Sequence, residues 1–315
     1  MDLKAITTVY SYYFPEVRQV IDEIVANYPH DVFLGSIEPG LDNFHVPIIE
    51  LYLSSYSGEI PHLKDFCFKY PTGGAEEGIR EVLTFLQTRG VEKIYVFSGE
   101  YEGYKAVAET RRIDTVEVDF NEDPKNLEPG YWFLSNPSAC NGNIIPNEFI
   151  NRICEAGHRV FYDLTYVGLT REHRFDVSHR NIFAAAVSFS KPFGLFYYRA
   201  GFTFSREEIP SLCGNKWFKN IFSLLIVKEL MGNMMSMGIV AKYKPLQEEI
   251  ISEINRETGL GMRASDVLLL GYLTEQDAKK LSSEQLEAIK RFSRGNLYRF
   301  CLTPYFKELE KRAVL

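Results

Sequence analysis

No apolar run in this chain approaches the ~20 residues that a membrane helix requires. The longest strongly apolar stretches lie near 221–227 and 183–187, so no membrane association is expected. The opening MDLKAITTVYSYYF holds one lysine, no long apolar core and no small-residue cleavage site, so no signal peptide is expected. Cysteine is sparse: the five residues Cys67, Cys140, Cys154, Cys213 and Cys301 are scattered and never form a C-x-x-C pair. That pattern argues against a disulfide framework or a zinc site, and fits a reducing, cytoplasmic setting. The histidines show no H-E-x-x-H spacing, and His173 and His179 fall in REHRFDVSHR, a stretch with the character of a solvated loop. No metal is expected. Basic charge is in deficit, 35 Lys and Arg against 42 Asp and Glu. A net charge of −7 speaks against broad nucleic-acid binding but leaves room for a local anion pocket. Repeats, low-complexity tracts and Pro/Ser/Gly-rich linkers are absent.

What is present is the composition of a globular protein, 45% hydrophobic and 24% charged. At roughly 150 residues per domain, 315 residues make about two domains, or one large α/β domain with an appendage. Short runs rich in Val, Ile, Phe and Tyr predict strands at Lys93–Ser98, Thr115–Phe120, Tyr131–Ser135, Val160–Asp163, Ala184–Ser188 and Gly201–Ser205. Helices are predicted between several of them. Ala75–Arg89 sets Ile79, Val82, Leu83 and Leu86 at helical spacing, and Glu102–Thr110 and Asn147–Ala156 follow. This alternation predicts an α/β layer with a mostly parallel sheet. The last third differs, with helices expected at Asn215–Met231, Lys242–Thr258 and Glu284–Ser293, the last opened by a Ser282/Gln285 capping box. Short strands are expected at Val267–Tyr272 and Leu297–Leu302, and a closing helix at Tyr305–Val314. The helix Glu16–Tyr28 is expected to pack with this region. The predicted division is a large domain over 45–205, and a small α+β domain with an interdomain helix from 1–44 and 206–315.

Three segments carry candidate chemistry. In Ser188-Phe-Ser190-Lys191, a lysine follows a buried apolar strand, with hydroxyls at −3 and −1 and Arg199 at +8. A lysine at a strand end can be desolvated, which lowers its pKa and makes it a Schiff-base former. Ser188, Ser190 and Arg199 could hold a phosphate. A surface lysine with capping serines fits the same letters. In Val160-Phe-Tyr-Asp163-Leu-Thr-Tyr166 an aspartate ends a strand and a tyrosine follows three residues on. That carboxylate could hold a protonated pyridine nitrogen and the phenol a ring hydroxyl, or the aspartate could be a turn residue. In Pro71-Thr-Gly73-Gly74-Ala75-Glu76 glycines open a helix and offer free N–H groups to an anion. The segment is neither G-x-x-x-x-G-K-[ST] nor G-x-G-x-x-G, which disfavours nucleotide readings.

Taken in this order, from about Tyr70 to Gly201 with a weaker echo near Arg299, these segments resemble the fold type I pyridoxal-phosphate enzymes of the class I/II aminotransferase superfamily. The resemblance implies that pyridoxal 5'-phosphate is held by Lys191 as an internal aldimine, and that Lys191 then shuttles a proton. It implies that Asp163 pairs with the pyridinium nitrogen, keeping the ring an electron sink, and that Tyr166 bonds the phenolic oxygen. Gly74, Ala75 and Glu76, through backbone N–H, would bind the phosphate with Ser188, Ser190 and Arg199. Tyr101 would stack on the ring. Arg299, on a short strand before the last helix, would grip the substrate carboxylate as a bidentate fork, with Arg294 its rival. A homodimer is also implied.

The chain departs from the family in Ser135-Asn136-Pro-Ser-Ala139-Cys-Asn141. Relatives carry N-P-x-N-P-T-G there, and Ala139 takes the place of the asparagine that bonds the ring oxygen. Asn136 or Asn141 could substitute, or Tyr166 could serve alone. The stretch before the glycine turn is also short; Tyr52 or Tyr56 could be the tyrosine lent to a partner's phosphate. Trp217, Phe218, Tyr12 and Tyr13 could line a pocket or simply pack. The expected function is transfer of an amino group between an amino acid and a 2-oxo acid. The alternative is a lyase, decarboxylase or cyclase using the same cofactor in a specialised pathway, and the Ala139 departure favours it.

Overall fold

The computed structural model describes residues 3–27, 39–234 and 238–313. Two helices lead, α1 (Pro15–Ala26) and α2 (Val46–Ser55). An alternating stretch follows: β1 (Phe68–Thr72), α3 (Ala75–Thr88), β2 (Lys93–Phe97), α4 (Glu102–Thr110), β3 (Asp114–Val118), β4 (Tyr131–Ser135), α5 (Asn147–Glu155), β5 (Arg159–Asp163), β6 (Ile182–Ser188) and β7 (Gly201–Ser205). The last third holds α6 (Ile221–Met234), α7 (Ile239–Thr258), β8 (Arg263–Ala264), β9 (Leu270–Thr274), α8 (Ser283–Ile289), β10 (Ser293–Arg294), β11 (Leu297–Cys301) and α9 (Thr303–Ala313). Among the described residues no helix is long and apolar enough to cross a membrane.

The first seven strands form one sheet in the order β1-β7-β6-β5-β4-β2-β3. The pairs from β6 through β3 are parallel, and β7 runs antiparallel to both of its neighbours. The mostly parallel α/β expectation therefore holds. Strand β6 reads IFAAAVS and is buried along its whole length, as a strand covered on both faces must be. Its Ala184 and Ala186 share an apolar cluster with Ile79, Val82, Leu83 and Leu86 of α3, the four residues whose spacing predicted that helix. Burying each such side chain stabilises the fold by about 1.5–3 kcal/mol. A second, four-stranded antiparallel sheet, β10-β11-β9-β8, stands in the last third.

Some elements differ from the sequence reading for clear reasons. Strand β1 contains Pro71, a residue that argues against a strand; it pairs with β7 at the sheet edge, where a residue without an N–H is tolerated. The helix expected over Asn215–Met231 is interrupted, because Lys219 takes an extended backbone (ψ 152°) after the short helix Asn215–Phe218. Strand β9 starts at Leu270, since Val267 to Leu270 close a turn in which Leu270 N–H donates to Val267 O. The capping box at Ser282 and Gln285 is present in both directions. Tyr28 and Val314, the predicted helix ends, lie outside the described residues.

The two chain ends meet. Ile6 bridges Cys301, and the rings of Tyr12, Phe14, Tyr243 and Phe306 pack together. The larger apolar cluster runs through both sheets' surroundings, from Leu3 to Phe306. We keep 45–205 against 1–44 plus 206–315 as a proposed division.

Candidate active site

Strands β4, β5 and β6 are parallel, so their carboxyl ends share one edge of the sheet, where open α/β sheets bind ligands. A cavity of about 380 Å³ opens there. Ser135, Asp163 and Ser188, the last residues of these strands, line it, and Lys191 follows three residues beyond β6. Residues from the amino ends of α3 and α4, from β11 and from the strap around Thr8 complete the wall.

Asp163 is buried. Its Oδ1 accepts hydrogen bonds from the N–H and hydroxyl of Thr165, and its Oδ2 from the Tyr104 hydroxyl at 3.0 Å. Burial pushes the carboxyl above its ordinary range, against the pull of those donors. Across the cavity, Lys191 Nζ donates to Val9 O and lies 5.0 Å from the Phe196 ring centre. Burial, helped by Arg299 and Arg199 and opposed by Cys301, lowers its ammonium to about 8.

The third group is an anion cradle. Gly74 caps the amino end of α3 at φ +85°, a conformation that favours glycine. A Cβ there would lie 3.2 Å from Arg199 Nη2 and 3.4 Å from Ser188 Oγ. Ser188 Oγ and Ser190 Oγ are 2.9 Å apart. Arg199 is exposed, sits at φ +53° and has no hydrogen bond or ion pair among the described residues. A strained arginine, a pair of serine hydroxyls bonded to each other and the positive end of a 14-residue helix therefore converge on one space.

Arg299 lines the same cavity and is 4% exposed. Arg294 is instead committed to Glu102, at 2.5 and 3.1 Å, and does not line the cavity. The geometry thus separates the two rivals.

The profile of the aminotransferase class I and II family matches residues 70–247, more than half of the chain. The chain belongs to this family. Solved structures agree in fold. An aminotransferase from Staphylococcus aureus superposes with a TM-score of 0.69 at 14% identity, covering 99% of this chain and 93% of that one. L-threonine-O-3-phosphate decarboxylase from Porphyromonas gingivalis gives 0.66 at 14%, with 99% of each chain covered. The PLP-bound C-S lyase from Staphylococcus hominis gives 0.67 at 11%, covering 95% and 86%. No curated protein sequence matches at a significant level.

The family is pyridoxal-phosphate-dependent, and the cavity has the matching polarity. A buried carboxylate and an arginine beside a glycine-capped helix, neither with an ion pair among the described residues, and a partly desolvated lysine complement a protonated ring nitrogen, a phosphate and an aldehyde. Of the residues expected from sequence, Lys191, Asp163, Tyr166, Ala75, Glu76, Tyr101, Ser188, Ser190, Arg199 and Arg299 line this cavity, and Gly74 adjoins it. Tyr166 is buried, which pushes its phenol up to about 12. Tyr101 donates to Glu76 at 3.0 Å and folds over Gly103, where a Cβ would lie 2.2 Å from its ring.

Asn136 and Asn141 are placed elsewhere. The Asn136 amide is used by Ile145 and by the Tyr162 hydroxyl, and Asn141 Oδ1 accepts from Asn143 N–H. Neither lines the cavity. Tyr52 and Tyr56 are buried against each other at 4.6 Å, facing the chain's own core, so neither is available to a partner. Trp217, Phe218, Tyr12 and Tyr13 also lie off the cavity wall.

Sequence reasoning missed Tyr104, Thr165, Glu100 and the strap residues Thr8 and Val9. Tyr104 stands three residues after Tyr101, a helical spacing that could have flagged it. Glu100 carried no signal: it is 6% exposed, and burial raises its carboxyl to about 7.

Proposed function

We propose that the chain transfers an amino group between an amino acid and a 2-oxo acid, with pyridoxal 5'-phosphate carried on Lys191. The observation that carries this reading is the convergence of Lys191, Asp163 and the Gly74–Ser188–Arg199 cradle on one cavity. When bound, the cofactor supplies an electron sink for charge developing at the substrate Cα.

The side chains supply the rest. Asp163 holds a proton at the ring nitrogen, and Tyr104 and Thr165 hold Asp163 in place. Gly74, Ala75 and Glu76 offer N–H groups to the phosphate, joined by Ser188, Ser190 and Arg199. Tyr166 would donate to the ring oxygen, and Tyr101 would cover the ring. Lys191 removes a proton from the substrate Cα, for which an amine at about 8 is a suitable base. Arg299 orients the substrate carboxylate. The carbonyls of Val9 and Thr7 accept from Lys191 and Arg299 and hold both cations toward the cavity.

One observation favours a second reading, a lyase, decarboxylase or cyclase. Ala139 lines the cavity and has no side-chain donor, which leaves Tyr166 as the donor that could reach the ring oxygen. A changed donor set alters the basicity of the bound ring, while the substrate-binding side chains set which bond is held for cleavage. The test is the visible spectrum of the protein with pyridoxal phosphate, before and after a panel of amino acids. Lys191→Ala removes the lysine-bound cofactor band and turnover while the fold persists. Asp163→Asn lowers activity by about a hundredfold or more. Full activity in Lys191→Ala overturns the reading. A band that shifts to the amine form supports transfer; an eliminated or decarboxylated product supports the second reading.

A further inference from the structure

Behind Ala139 lies a buried chain of hydrogen bonds that the proposed reaction has not used. Glu100 follows β2 and precedes α4, and its carboxyl accepts from Tyr101 N–H at 2.8 Å and Ser135 N–H at 3.3 Å. Ser135 Oγ lies 2.8 and 2.9 Å from the two Glu100 oxygens. The same Ser135 oxygen accepts Ala139 N–H at 2.7 Å. On the other side of that residue, Ala139 O accepts from Arg299 Nη1. Arg299 Nη2 donates to Thr7 O at 3.0 Å, and Nε, buried, has no partner. Two of the five guanidinium N–H donors are thus used, and no carboxylate pairs with Arg299 among the described residues.

We infer that Glu100 and Ser135 are positioning residues for Arg299: through the Ala139 peptide they fix the guanidinium that receives the substrate carboxylate. This rests on the reading of Arg299 given above. A short residue at 139 makes the relay workable, because its backbone, and no side-chain amide, joins Ser135 to Arg299. Three polar links in series orient a buried cation more sharply than one, since each buried donor or acceptor is costly to leave unmade. Glu100 also carries most of its own hydrogen-bonding capacity within the relay, which accounts for a carboxyl at a site with no cation beside it.

The test needs no knowledge of the natural substrate. The loaded protein is treated with aminooxyacetate, which carries a carboxylate, and with methoxyamine, which does not. Both capture the cofactor carbonyl through the aminooxy nitrogen and release the Lys191 amine, and the absorbance change gives a rate for each. The ratio of the two rates measures carboxylate recognition alone. Fluorescence titration of cofactor affinity and the melting temperature of the unloaded protein serve as controls.

Ser135→Ala and Glu100→Ala are expected to lower the ratio by about tenfold, with cofactor affinity retained. Glu100→Gln, which can still accept from Tyr101 N–H and donate to Ser135 Oγ but sets its amide against Ser135 N–H, is expected to lower the ratio by less than Glu100→Ala. If Glu100→Ala fails to fold, Ser135→Ala decides. The relay is overturned if Ser135→Ala keeps the parental ratio while Arg299→Gln lowers it. It is also overturned if Ser135→Ala slows both probes equally. If Arg299→Gln itself leaves the ratio unchanged, the assignment of Arg299 fails and the relay falls with it.

Discussion

At the residue scale the site is governed by three groups whose protonation is set by burial. Burial lowers the Lys191 ammonium to about 8, so its amine becomes mostly free only above about pH 8. The rate at which the unloaded protein takes up pyridoxal phosphate should rise through about pH 8 and level off above it. A profile still climbing beyond pH 10 would show that the amine is not desolvated. Glu100 works in the other sense. Its carboxyl is held at about 7 against an ordinary 4.5, so between these values the native state keeps a proton that the unfolded chain has lost. Unfolding free energy therefore falls as pH rises across that window, by about 3 kcal/mol for this group. Asp163, also raised by burial, adds in the same direction. Denaturant titrations at pH 5 and pH 8 should show a smaller difference for Glu100→Gln than for the parent. An unchanged difference would mean that Glu100 is ionised in both states.

At the element scale the helix α3 has two tasks, to pack on the sheet and to aim its amino end at the cradle. Gly78 makes the packing close: a Cβ there would lie 2.3 Å from Thr203 Oγ1 of β7, and Thr203 is fully buried. Gly78→Ala forces the helix or Thr203 to move and should cost about 1–3 kcal/mol. It should also weaken cofactor binding, because Gly74 to Glu76 ride on the same helix. Adding Thr203→Ala should restore much of both. Stability regained without cofactor affinity would mean that the helix position does not set the cradle. Much of this element was legible: the apolar spacing over Ala75–Arg89 located α3, and the glycine pair before it located the anion-facing end. Thr203 was not, since its meeting with Gly78 joins residues 125 positions apart.

At the scale of the whole molecule, Tyr197 is 85% exposed, Phe218 84% and Trp217 58%, apolar surface that a partner subunit would bury. We propose that a second copy covers them. Sedimentation should give twice the chain mass, and Tyr197→Ser with Phe218→Ser should shift the protein toward the single chain. A parent that sediments as one active chain at all concentrations would refute this.

Local chemistry alone determined the alternation of strands and helices over 75–205, a lysine with flanking hydroxyls just past a buried strand, and an aspartate at a strand end. These depend on residue types a few positions apart, where periodicity and turn preferences act. Tertiary structure decided what distance in sequence conceals. It separated Arg299 from Arg294 by giving the latter to Glu102, and turned Asn136 and Asn141 to the support of their own loop. It also brought Tyr104 to Asp163 and Glu100 to Ser135. Each of these is a choice of partner for a polar group leaving water, and that choice is made only when the sheet closes and the strand ends come together.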